Sequence, residues 1–361
     1  MQVPKTMRAV MLKGHGGFDQ LEYRWDVSVP RPRSGEVLIK VAAAGVNNTD
    51  INTRMGWYSK SVSSGTKAAV AATGIATAKA VDSGWTGTAI GFPLIQGADA
   101  VGRIVAVGEG VSASRIGERV LVEPVFRAPG AALNDTIYFG SDCDGAFAEF
   151  AIVPERHAHV VDCGFSDAEL ASIPCSWSAA ENMIERAGIK AGDVVLVTGA
   201  SGGVGSAALQ LVLRRRAKAV AITSTGKIDG LLALGATQVL PRAADLVAEL
   251  GRESLDAVID CVGGPGFPVL LELLKRGGRY AVAGAIAGPL VELDLRTLYL
   301  KDLSLLGCTV LGHGVFANLV SYLESGDVQP LVAATYPLTE IVAAQKAFLE
   351  KRHTGKIILE L

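Results

Sequence analysis

From Val194 to Leu213 the chain runs for about 20 residues without a charge and then meets Arg214, Arg215 and Arg216, a length and flank that suit a membrane span. Its interior argues for something else. Gly199, Gly202, Gly203 and Gly205 fall in the middle, with Thr198, Ser201 and Ser206 among them. Such punctuation reads as a buried strand, a tight glycine turn and a helix. In that order the glycines let the backbone approach a pyrophosphate, and the helix amides and positive helix end face the negative charge. Gly199, Ala200, Ser201, Gly202, Gly203, Val204 and Gly205 are therefore candidate dinucleotide-binding residues.

What surrounds the turn supports this. Strands at 194–198, 219–223, 239–240, 257–261 and 280–283 alternate with helical stretches at 203–216, 227–234, 243–250 and 267–275. This alternation predicts a doubly wound parallel sheet with helices on both faces. Before it, 166–186 reads as one helix, with Ser166 and Glu169 as a capping box. The earlier chain is different. Glu36–Ala42, Val101–Val107, Glu118–Val122, Ala146–Val153 and His157–Val161 are short, β-branched runs bounded by Gly and Pro, as in a partly open barrel. After an apolar run at Leu303–Val310 and a helix at 315–325, a last strand at 356–361 is expected to rejoin that barrel. The expected division is 1–165 with 313–361, and 166–312.

Residues 61–91 interrupt the barrel region. They are rich in Ala, Ser, Thr and Gly, with a helical stretch expected at 67–81; a packed excursion and a disordered linker both remain open.

Several function classes are excluded. A net charge of -2 gives no basic excess for a nucleic-acid backbone. The apolar run Ala9–Leu12 is too short for a secretory leader core, so the expected compartment is the cytoplasm and no membrane partner is expected. The five cysteines stand far apart and suggest reduced thiols rather than a disulfide framework.

The strand after the glycine turn addresses the choice of dinucleotide. An NAD site wants an acid at this strand's tip for the ribose hydroxyls. Here the tip reads Ile222-Thr223-Ser224-Thr225-Gly226-Lys227, and Asp229 comes later, in the following helix. Ser224 and Lys227 suit a 2′-phosphate, which favours NADP(H) over NAD(H).

These residues carry a family resemblance. Gly192-Asp193, Leu196, Ala200-Ser201-Gly202-Gly203, Gly205 and Gln210 stand at the spacing of a signature of the medium-chain dehydrogenase/reductase superfamily, in its quinone oxidoreductase (zeta-crystallin-like) branch. The signature's final basic residue is absent, with Leu213 in its place. Ala43–Asp50 and Gly97–Asp99 with Gly102 and Val105 resemble two catalytic-domain loops of that family. Asp260–Gly264 resembles its adenosine-side loop, and Ala283–Ile286 its nicotinamide loop. The resemblance implies a Rossmann-type domain plus a GroES-like β-barrel-type catalytic domain, a cleft between them, and Val262, Ala285 and Ile286 as cofactor contacts. It also implies a homodimer through the strand near Leu303–Val310.

Departures from the family set the expected chemistry. The zinc-dependent members place a ligand Cys where Asn47 stands and a ligand His where Ala98 stands, leaving only Cys175 near a third position. A catalytic zinc needs three protein ligands, so no zinc is expected. His157 and His159 could share one side of a strand, but no third metal ligand is evident. Without a Lewis acid the easier task is hydride transfer to a quinone or an activated C=C or carbonyl acceptor, where hydrogen bonds stabilise the spread charge. The candidate catalytic groups are Asn47, as a donor to substrate oxygen or ribose, Thr49, at the family's hydroxyl-relay position, and Tyr58, as proton donor or stacking ring. Trp57 is expected as a pocket wall or core aromatic, Cys175 as a buried thiol, and Asp50 with Arg54 as a local structural pair. Two other readings stay open: a zinc-type alcohol dehydrogenase with displaced ligands, and a non-catalytic NADPH-binding sensor or structural protein.

Overall fold

The computed structural model describes residues 3–361. Among them, Val194–Val197 and the helix Gly203–Arg214 are separated by the glycine turn, as the residue pattern requires. Six strands form one sheet in the order Gln238–Pro241, Lys218–Thr223, Val194–Val197, Leu255–Asp260, Leu274–Val282, Ser304–Gly307. Every neighbouring pair in it is parallel. The strand order reverses between Val194–Val197 and Leu255–Asp260, which opens a crevice at their carboxyl ends, where ligands of such sheets bind. The uncharged stretch is thus core: Val195, Leu196, Val197, Ala207, Ala208, Leu209, Leu211 and Val212 are all fully buried. Among the described residues no helix is long and apolar enough to cross a membrane.

The second unit is of β-barrel type. Its seven-stranded sheet is centred on Glu36–Gly45. That strand pairs antiparallel with Val101–Val107 and Phe150–Pro154, and its far end pairs with Lys356–Glu360. The last strand therefore rejoins the first unit across more than 300 residues, with Leu359 opposite Ala44. A three-stranded sheet of Leu21–Ser28, Thr6–Leu12 and Leu94–Ile95 flanks it.

The helix Val315–Glu324 packs on the nucleotide unit: its Phe316, Leu319, Val320 and Leu323 share a buried cluster with Trp177 and Met183. Two expectations change. The stretch 166–186 is two helices, Asp167–Leu170 and Pro174–Arg186. The Ser166–Glu169 capping box forms, but Pro174 lacks the amide to continue the first helix and starts the second instead.

The stretch 67–81 is not a helix either. It holds only Ala68–Ala71, followed by a 3-10 turn at Ala80–Asp82. Gly74, at φ +84°, sits against the Gly16 backbone, where a Cβ would be 2.6 Å from Gly16 Cα. The inserted segment nevertheless packs on the molecule. Ala71 and Ser83 are fully buried, Ala71 O accepts from Arg54 at 2.9 Å, and Thr66 N donates to Ile286 O at 2.9 Å.

Candidate active site

A cavity of about 720 Å³ runs between the two units. At its floor the backbone turns at Gly199, whose φ of +57° suits glycine, and Gly202 N closes the turn on Gly199 O at 3.0 Å. Gly205 must be glycine, because a Cβ there would lie 2.3 Å from Gly199 O. The helix that follows has no side-chain cap, so its first-turn amides are free for an anion. Gly199, Ser201, Gly202, Gly203, Val204 and Gly205 all line the cavity, as do Val262, Ala285 and Ile286. Ala200 is fully buried behind the turn, and neither it nor Ser224 is among the lining residues. Asp260 shapes the opposite loop: its carboxylate accepts Thr198 Oγ1 at 2.5 Å, Val262 N at 2.8 Å and Gly263 N at 3.2 Å. The residues present fit a dinucleotide.

Beyond the turn the cavity becomes cationic. Lys227 reaches it but gives its ammonium to Ser201 Oγ at 3.3 Å and to the carbonyls of Lys351 (2.7 Å) and His353. Arg242, Lys351 and His353 line the same end. Burial first, then Lys227 and Arg242, push the Lys351 ammonium down to about 7. Burial, then Lys351 and Lys227, push His353 down to about 4. No carboxylate is among the groups that act on either. Sequence reasoning missed Arg242 and Lys351. Arg242 stands just beyond the tip of the next strand, a position that counting strand ends could have found; Lys351 comes from the far end of the chain.

The helix Asn48–Met55 begins beside the glycine-rich floor, and its Asn48 Oδ1 accepts from Lys351 Nζ at 3.2 Å. Asn47 lines the cavity, but its amide is already committed. Nδ2 donates to Asp99 Oδ2 at 2.7 Å and to Gly45 O at 3.3 Å, and Oδ1 accepts from Lys356 Nζ at 2.5 Å. Lys356 also pairs with Asp99 Oδ2 at 2.7 Å, and Cys175 N donates to Asp99 Oδ1 at 2.6 Å. All three side chains are buried. Asn47 is thus a structural member of a buried network and not a free donor to substrate.

Thr49 and Tyr58 are placed differently. Thr49 lines the cavity, while its Oγ1 is buried and without a hydrogen-bond partner. Tyr58 is half-buried in the cavity wall, and burial holds its phenol well above the usual value, so it stays protonated. Asp50 and Arg54 are not a pair. Asp50 accepts Asn47 N at 2.7 Å, and burial, with Asp99 adding to it, pushes its carboxyl up to about 7. Arg54 is fully buried and holds Gln345 Oε1, Gly16 O and Ala71 O, tying the inserted segment to the C-terminal helix. Tertiary acceptors outcompete the helical i,i+4 partner.

The inserted segment also reaches the cavity. Trp85 packs its ring 4.9 Å from that of Tyr58 and 5.5 Å from that of Tyr138. Trp57, fixed by its Nε1 on Ser64 O at 2.8 Å, continues the wall 5.5 Å from Tyr58.

The residues at the family's zinc position do not fit zinc. Asn47 and Ala98 replace two ligands, and the ammonium of Lys356 sits on Asn47 Oδ1. Burial and the neighbouring Asp99 push the Cys175 thiol up to about 12, which makes it a poor thiolate donor. His157 and His159 share a carboxylate. Both rings meet Glu123 Oε2 at 3.0 Å, and burial opposing these two bonds leaves that carboxylate at about 2. No cluster that could hold a metal ion is found among the described residues.

The chain is similar to known proteins along most of its length. Residues 33–162 match the alcohol dehydrogenase GroES-like domain, and residues 234–359 match the zinc-binding dehydrogenase domain. The chain is 29% identical over 367 residues to acryloyl-coenzyme A reductase of Metallosphaera sedula, covering 98% of this chain and 99% of that one. It is 29% identical over 375 residues to human quinone oxidoreductase, covering 99% and 98%. A solved structure from Sinorhizobium meliloti 1021, provisionally assigned as an alcohol dehydrogenase, superposes with a TM-score of 0.88 at 44% identity, covering 99% of this chain and 97% of that one.

Proposed function

We propose a specific reaction for this chain, which belongs to the medium-chain dehydrogenase/reductase superfamily and is a quinone oxidoreductase-like reductase with a nicotinamide cofactor: metal-free reduction, by NADPH, of a quinone or an activated C=C or carbonyl acceptor. The observation that carries it is the Lys356–Asn47–Asp99 network. It fills the zinc-ligand corner, beside which Thr49 and Tyr58 line the cavity.

Bound along the glycine turn, the reduced nicotinamide supplies a hydride. As the acceptor takes it, negative charge grows on the acceptor oxygen, and one proton must follow to give the hydroquinone or saturated product. Tyr58, kept protonated by burial, is a hydrogen-bond donor for that charge. Thr49, beside it on the cavity lining, is the candidate for relaying the proton. Asp50 holds the start of their helix through Asn47 N.

Support for NADPH comes from the cationic end. Lys227, Arg242 and Lys351 crowd together without a counter-charge, and a 2′-phosphate supplies one. The test is anaerobic oxidation of NADPH and NADH against a panel of quinones and enones, with metal analysis of the purified protein. The expected result is kcat/KM at least about tenfold higher with NADPH, in protein without stoichiometric zinc. Equal use of NADH overturns the cofactor reading, stoichiometric zinc the metal-free reading, and an inert panel the acceptor class.

The assembly is proposed as a homodimer through the sheet edge Ser304–Gly307. Leu290, Leu295, Tyr299 and Leu300 beside it are 55–73% exposed, and an open edge invites pairing. Sedimentation at micromolar concentration is expected to give a dimer; a monomer overturns the proposal.

A further inference from the structure

We propose that Trp85, carried by the inserted segment, determines acceptor specificity: with Tyr58 and Tyr138 it forms an aromatic wall that selects flat acceptors of two or more fused rings. The inference rests on the quinone-reducing function proposed above and assigns a residue and a size class to that site.

The chain is poor in aromatic residues, at 6%, yet Trp57, Tyr58, Trp85 and Tyr138 gather on one side of the cavity from three separate segments. Successive ring centroids are 5.5, 4.9 and 5.5 Å apart. No two of these rings stack face to face; their planes cross at 82°, 68° and 46°. All four are only half-buried, so ring surface is left for a ligand. A single six-membered ring can cover one of these side chains. A fused system of two or three rings can stack on Trp85 and still reach the ring of a neighbour set at an angle to it.

Trp85 is held in place before any ligand arrives. Ser83 just before it is fully buried and meets His15 Nε2 at 2.5 Å. The turn that follows is closed by Gly84 N on Thr88 O at 2.7 Å, so close that a Cβ on Gly84 would lie 2.5 Å from that oxygen. A rigid aromatic anchor loses little conformational entropy on binding.

The test compares wild type, Trp85→Phe and Trp85→Leu with NADPH and four acceptors: 1,4-benzoquinone, 1,4-naphthoquinone, 9,10-phenanthrenequinone and an open-chain enone. Each variant is scored against wild type on the same acceptor, because the quinones differ in oxidising power. Trp85→Leu is expected to lose about five- to tenfold in kcat/KM for the two- and three-ring quinones, mainly through KM. For benzoquinone and the enone it is expected to stay within about twofold, and Trp85→Phe to retain most of the activity. An unchanged Kd for NADPH shows that the variant is folded. A uniform loss, or no loss, overturns the inference alone. Wild type that reduces no acceptor overturns the proposed function and this inference with it.

Discussion

Replacing Lys356 by methionine is expected to destabilise the protein by about 3–5 kcal/mol, the usual result of removing one partner of a buried ion pair. Asp99 is fully buried, and Lys356 is its only cationic partner within 4 Å among the described residues. Without the ammonium, its carboxylate keeps the amides of Cys175 and Asn47 but faces no positive charge. Asn47 Oδ1 loses its donor in the same step. Methionine retains most of the stem that passes Gly203 and Gly45, so the loss is electrostatic more than a packing defect. Thermal unfolding should show a drop of about 4–7 °C. The double variant Lys356→Met with Asp99→Asn removes both charges and is expected to recover more than half of that drop, a coupling that a double-mutant cycle measures. A Lys356→Met protein melting within about 2 °C of wild type would refute the pairing as a determinant of stability.

This network explains why so much of the nucleotide unit was legible in the amino-acid sequence and so little of the catalytic corner. The turn at Gly199–Gly205 is a local problem: a left-handed φ at Gly199 and a close approach at Gly205 demand glycine at those spacings, and the flanking hydrophobic periods show a strand and a helix. The break at Pro174 was equally local and readable from the proline alone. The 67–81 stretch misled because alanine favours helix in isolation, while here Gly74 must pass against Gly16 and Arg54 must reach Ala71 O. The i,i+4 spacing of Asp50 and Arg54 misled for a related reason, since Asn47 N and Gln345 offered better partners from outside the helix. Asn47 and Lys356 lie 309 residues apart and Lys227 and Lys351 124 apart. They meet only because the last strand returns to pair with Glu36–Gly45. No spacing rule connects such positions, whereas the topology brings them together.

The same return of the chain places Lys351 where cofactor choice and pH should be coupled. Burial, Lys227 and Arg242 hold its ammonium down to about 7, so near neutrality it is partly uncharged in the free protein. A 2′-phosphate dianion beside it favours the protonated form and raises that value on binding. Binding NADPH at pH 8 is therefore expected to take up about half a proton to one proton, whereas NADH, lacking the phosphate, takes up none at this group. Titration calorimetry in two buffers of different ionisation enthalpy reads the uptake directly. As pH rises above 7, less of Lys351 starts charged and NADPH affinity falls. Below about 6 the phosphate itself gains a proton and affinity falls again, so preference for NADPH over NADH is expected to peak between these limits. Lys351→Met should abolish the extra uptake and weaken NADPH binding about 10- to 100-fold, with NADH little changed. The wild-type ammonium is held by Asn48 Oδ1 at 3.2 Å and the Phe348 ring at 3.6 Å, but it is buried with no carboxylate acting on it, so the variant should melt within about 3 °C of wild type in the absence of cofactor. Equal proton uptake with the two cofactors, or uptake that survives in Lys351→Met, would show that another group holds the 2′-phosphate.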